Sequence, residues 1–72
     1  MDSPRKQQAK GTWKILKGRL REVWGSLRKD DLERYRGKKD QLVGYITLKT
    51  GQTRSRVRKR VERIAGEVNY RF

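Results

Sequence analysis

Residues 53–68 read Thr53-Arg54-Ser55-Arg56-Val57-Arg58-Lys59-Arg60-Val61-Glu62-Arg63-Ile64-Ala65-Gly66-Glu67-Val68. Val57, Val61, Ile64, Ala65 and Val68 fall four, three, one and three residues apart, which stacks them on one face of a helix. Apart from Gly66, the positions between them are polar or charged, so the stretch predicts an amphipathic helix with one apolar stripe. Thr53 is placed to cap its first turn by accepting from an otherwise unpaired backbone N–H. Such a stripe is stable only against a second apolar surface, which the rest of the chain must supply.

Upstream, Leu42, Val43 and Ile46 predict another helix that stops at Gly51, with Tyr45 and Leu48 off its stripe and partly exposed. Gly37 interrupts the chain before it. Asp30 is a capping candidate for a short helix, with Glu33 three residues on in a capping-box arrangement. At the start, Ala9, Trp13, Leu16, Leu20, Val23, Trp24 and Leu27 keep helical spacing. Ser3-Pro4 suits the helix start, and Gly25 could end it as a left-handed cap. Gly11 and Gly18 lie inside this segment and mark either close packing or a break into two helices. No Pro follows Pro4, and no stretch alternates with period two. The reading is all-α: a long helix, a short one, and two of about 12–15 residues.

The chain has 72 residues. That is one domain, spanning 1–72, with a thin core and ends expected to fray at about 1–4 and 69–72. It contains no Cys and no His. Disulfide frameworks, thiol nucleophiles, the usual zinc sites and the usual neutral-pH general base are therefore absent. No metal or other cofactor and no small-molecule substrate is expected, and the chain does not read as an enzyme. Asp30, Asp31, Glu33 and Asp40 are its densest acids, and helix capping and ion pairing account for them. The longest apolar runs are two residues, such as Ile15-Leu16. No transmembrane segment or signal-peptide core is present, and a cytoplasmic location is expected by elimination.

Charge is the unusual feature: 21 Lys and Arg against 8 Asp and Glu, a net +13. Residues 1–25 and 52–72 each carry 7 basic and 2 acidic residues, so both ends are rich in positive charge. An imbalance of this kind speaks to partners and solubility rather than to fold.

The ordered set Gly11-Thr12-Trp13-Lys14, Lys17-Gly18, Glu22-Val23-Trp24-Gly25-Ser26-Leu27, Asp30-Asp31-Leu32, Gly37-Lys38-Lys39-Asp40-Gln41-Leu42-Val43-Gly44 and Gly51 resembles the CsbD-like family. These are short bacterial proteins linked to the general stress response. The resemblance runs from about Gly11 to the Asn69-Tyr70-Arg71-Phe72 ending, and Gly37 to Gly44 is its most specific part. It implies about four short helices in a sterile-alpha-motif-like arrangement of two crossed hairpins, without known catalytic residues, cofactor or established molecular activity. Two departures raise the charge. Leu27-Arg28-Lys29-Asp30-Asp31-Leu32 stands where the family usually has Leu-Thr-Asp-Asp-Asp-Leu, and the last helix is basic where relatives are mixed or acidic.

Arg54, Arg56, Arg58, Lys59, Arg60 and Arg63 flank the last apolar stripe. Like charges at i, i+4, as in Arg56/Arg60, repel within an isolated helix, and a phosphate backbone laid along this face relieves that repulsion. Lys14, Lys17 and Arg21 form a second strip on the first helix. Trp13 and Trp24 could stack on exposed bases, but they sit on the apolar stripe and are expected in the core. The leading functional expectation is sequence-nonspecific binding of DNA or RNA through these basic faces, in a non-enzymatic, stress-response-type protein. The alternatives are an interaction module for acidic protein surfaces, and adsorption to anionic lipid if the stripe Val57, Val61, Ile64 and Val68 can leave the core. The sequence leaves the oligomeric state open.

Overall fold

The computed structural model describes the backbone of residues 3–72 and the side chains of residues 12–72. Four helices follow one another: α1 (Ser3–Val23), α2 (Lys29–Glu33), α3 (Lys39–Thr50) and α4 (Arg54–Glu67). No strand occurs among the described residues. α1 packs on α2 and on α4, and α4 packs in turn on α3. The all-α reading holds.

One core joins the stripes. Trp13, Leu16, Leu20, Trp24 and Leu27 meet Leu32, then Leu42, Val43 and Ile46 of α3, and Val57, Val61, Ile64 and Ala65 of α4. Both tryptophans lie within it. Tyr35, Tyr45, Val68, Tyr70 and Phe72 close its edges. Tyr70 lies 5.2 Å from Trp13 between ring centroids and meets Phe72 edge-on at 4.9 Å. The Tyr70 hydroxyl accepts from the Gly37 N–H at 3.0 Å, so the last residues dock on the bundle.

α1 is one helix, not two. A methyl group at Gly18 would meet nothing within 4 Å, so this glycine neither packs closely nor breaks the helix. Gly11 lies outside the residues whose side-chain surroundings are described, as does Ala9. Gly25 is not the left-handed cap. α1 ends at Val23, and the glycines with positive φ are Gly37 (76°) and Gly51 (75°). Gly51 closes α3 as expected, donating to the Thr47 carbonyl at 2.9 Å.

The expected Asp30 cap is also replaced. α2 begins at Lys29 with Arg28 in the cap position, and no side chain of α2 caps it. Instead the Tyr45 hydroxyl, from α3, accepts from the Arg28 N–H (3.1 Å) and donates to Asp31 (2.9 Å). A tertiary contact thus pairs the cap residue's own N–H, the place that the acid of a capping box fills. Burial first, and then the Asp31 carboxylate, push the Tyr45 phenol above its usual range, while the Arg28 N–H works the other way. Leu48, expected to be partly exposed, is 83% exposed.

The start of α4 is as expected: the Thr53 side chain accepts from the Arg56 N–H at 3.3 Å. Its end was not foreseen. Tyr70 N–H donates to the Ala65 carbonyl (2.8 Å) and Asn69 N–H to the Gly66 carbonyl (3.2 Å), with Asn69 at φ 61°. This is a Schellman closure with Asn in the left-handed place usually held by Gly.

Candidate nucleic-acid interface

The buried stripe of α4 divides its charged residues into two flanks. Arg54, Arg58 and Glu62 follow at four-residue steps on the flank toward α3. There Arg58 lies 3.7 Å from the Asp40 carboxylate, Arg54 donates to the Asp40 carbonyl at 3.4 Å, and Glu62 holds Lys39 at 2.8 Å. The Lys39 hydrogen bond and charge hold the Glu62 carboxyl below its usual range.

Arg56, Lys59, Arg60 and Arg63 lie on the other flank. With Val23 and Trp24 at the end of α1 and Gln52 ahead of α4, they line an open cleft of about 370 Å³. Among the described residues, no carboxylate lines it. Its apolar floor is Val23, 38% exposed, beside the edge of the buried Trp24. Val23 keeps the helical spacing of the apolar residues, but α1 ends there, leaving it on the cleft wall. Trp24 Nε1–H donates to Gln52 Oε1 at 3.3 Å. Because an indole N–H can only donate, this bond fixes which end of the Gln52 amide faces Trp24 and leaves the NH₂ on the other side.

The structure takes the second basic strip apart. Lys17 is buried, and its ammonium pairs with the Glu33 carboxylate of α2. The Trp13 indole, one turn away on α1, donates to the other Glu33 oxygen at 3.4 Å. Glu33 therefore clasps α2 to α1 instead of completing a capping box. Burial, followed by the charges of Lys29, Arg36 and Lys14, pushes the Lys17 ammonium below its usual range. Lys14 and Arg21 are exposed on the same flank of α1 as Lys17. Arg19, on the opposite flank, reaches α4, meeting Glu67 at 2.9 Å. Thus Lys14, Lys17 and Arg21 do not merge with the α4 cleft into one surface; the buried stripe of α1 lies between them.

Six of the nine sequence-derived site residues lie on α4, and four of those six share the cleft. Sequence reasoning missed its floor, Val23, Trp24 and Gln52. The first two carry helical spacing and so look like core. Gln52 is one residue past a cap and has no periodic signal.

The CsbD-like family model matches residues 7–59. The chain belongs to the CsbD-like family. It is 40% identical over 67 residues to the UPF0337 protein YjbJ of Salmonella typhimurium, covering 93% of this chain and 96% of that one. It is 46% identical over 57 residues to the UPF0337 protein ECA0631 of Pectobacterium atrosepticum, 79% of this chain and 83% of the relative. No solved structure matches at a significant level. This CsbD-like family is of the stress-response type and has no known enzymatic role. Its model reaches Arg56 and Lys59 and stops before Arg60 and Arg63.

Among the described residues, no helix is long and apolar enough to cross a membrane. The stripe that lipid adsorption would need is largely inside the bundle: Val57 and Val61 are fully buried, and Ile64 nearly so.

Proposed function

We propose that this CsbD-like protein binds nucleic acid without sequence preference, seating backbone phosphates against Arg56, Lys59, Arg60 and Arg63. The observation that carries this reading is the contrast in lining among the described residues: four cations and no acid in the cleft, against Asp40 and Glu62 on the other flank. Cations at i, i+4, Arg56/Arg60 and Lys59/Arg63, repel one another unless an anion lies between them. Guanidinium forks suit phosphate oxygens, and binding releases the counterions condensed on the polyanion. Neither step needs base identity, so the activity is sequence-tolerant.

The test is a titration of labelled duplex DNA by fluorescence anisotropy across a salt series. Four phosphate contacts give a log–log salt slope of about −3.6. Absence of binding at about 50 mM salt sinks the reading, because low salt favours the electrostatic term most. A partner that survives nuclease treatment in a pull-down, with no DNA binding, would assign the face to acidic proteins instead.

A further inference from the structure

We infer that the cleft is built for a single strand, with one unstacked base laid on the Val23–Trp24 floor while its flanking phosphates meet the α4 cations. This rests on the nucleic-acid reading above and narrows its ligand class.

Three features of the cleft point this way. The first is its mixed lining. Phosphates alone would be served by a flat cationic helix face, and they gain nothing from covering an apolar surface. A base face does gain from it, and a single strand can turn a base outward where a duplex keeps its bases stacked inside. Val23 is 38% exposed where apolar floor and four cations meet.

The second feature is size. The cleft, at about 370 Å³, falls in the ~300–1,000 Å³ range of ordinary ligand clefts. It is therefore a recess for a group rather than a ridge for a groove. The third is Gln52. With its Oε1 held by Trp24, its NH₂ donors remain for an acceptor on the ligand, a base carbonyl or a phosphate oxygen. Charge and a face for a base are the two elements that sequence-tolerant single-strand binders combine, and the Gln52 amide adds a donor beside them.

The experiment compares oligothymidylate of about 12 nucleotides, a length within the footprint of one small domain, with a duplex of the same length at one salt concentration. The single strand is expected to bind about fivefold tighter or more, the contribution of one base face. Val23→Ser, a change at a partly exposed position, should bring the ratio of the two affinities toward one. Gln52→Ala should move it the same way. In a Trp13→Phe background, where Trp24 is the remaining tryptophan, the single strand should alter Trp24 emission and the duplex should not.

Equal affinity for the two, or tighter duplex binding, overturns the inference and leaves the phosphate-binding reading standing. A preference for the single strand that both Val23→Ser and Gln52→Ala leave intact also overturns it, because the floor would then play no part. Failure of both nucleic acids to bind overturns the parent reading and this one together.

Discussion

On the flank of α4 that faces α3, Arg58 has Asp40, Arg54 has the Asp40 carbonyl, and Glu62 has Lys39. On the flank that faces the end of α1, Arg56, Lys59, Arg60 and Arg63 line a recess without a carboxylate. The two flanks belong to one helix and are separated by one buried stripe; the first carries Arg54, Arg58 and an acid, Glu62, and the second four cations. The neighbouring element differs as well. α3 brings an acid in its first turn, whereas α1 ends in Val23 and Trp24. Positive charge in this chain therefore divides into charge matched within the fold and charge left for a ligand. Lys17 is the extreme of the first kind, buried against Glu33.

The largest expected effect removes the frame that separates the flanks. Ile64 is buried on the α4 stripe, and Ile64→Ala should cost about 2–5 kcal/mol, much of the stability of so small a domain. Urea unfolding followed by circular dichroism reads this directly.

The next effect separates matched from free charge on α1. Glu33→Ala leaves a buried ammonium and the Trp13 indole without their acceptor and should cost about 1–3 kcal/mol, below a fully buried pair because Glu33 is half-exposed. Lys17→Met should fall within about 1 kcal/mol of the native protein or be more stable, since an apolar side chain of that shape suits the site. A large loss with Lys17→Met would show that the pair holds the fold together rather than merely tolerating burial.

Thr53 sets the first turn of α4 and so aims both flanks. Thr53→Ala should cost about 1 kcal/mol, read from the same unfolding curves.

The smallest effect is on the matched flank. The folded Glu62 carboxyl lies below its unfolded value, so its pairing with Lys39 stabilises the fold above the ordinary carboxylate range. That contribution disappears as pH falls through the lowered folded value. Glu62→Gln should slightly lower Tm at neutral pH and narrow the gap between the neutral and acid Tm. An unchanged gap would mean that the pair adds nothing to stability.

The helices were legible because the stripes at Trp13–Leu20, Leu42–Ile46 and Val57–Ile64 are periodic, and periodicity is local information. The Thr53 and Gly51 caps were legible for the same reason. The rest depended on partners distant in the chain. Asp30 looks like the cap of α2 until Tyr45 arrives from α3. Lys14, Lys17 and Arg21 look alike on one helix face until Glu33 selects Lys17 for burial. Half of the candidate site, the α4 cations, could be read from spacing. Its floor could not, because Val23, Trp24 and Gln52 meet only when α1 ends beside the start of α4.

The most direct test compares Arg56→Gln/Arg60→Gln with Arg54→Gln/Arg58→Gln in a salt titration against the same duplex DNA. Each variant loses two positive charges, so net charge cannot separate them. If the cleft flank holds the phosphates, the first variant flattens the salt slope by about 1.8 and the second by well under half of that. Equal flattening by the two variants would contradict the account, because binding would then follow total charge and not the flank that the fold leaves unmatched.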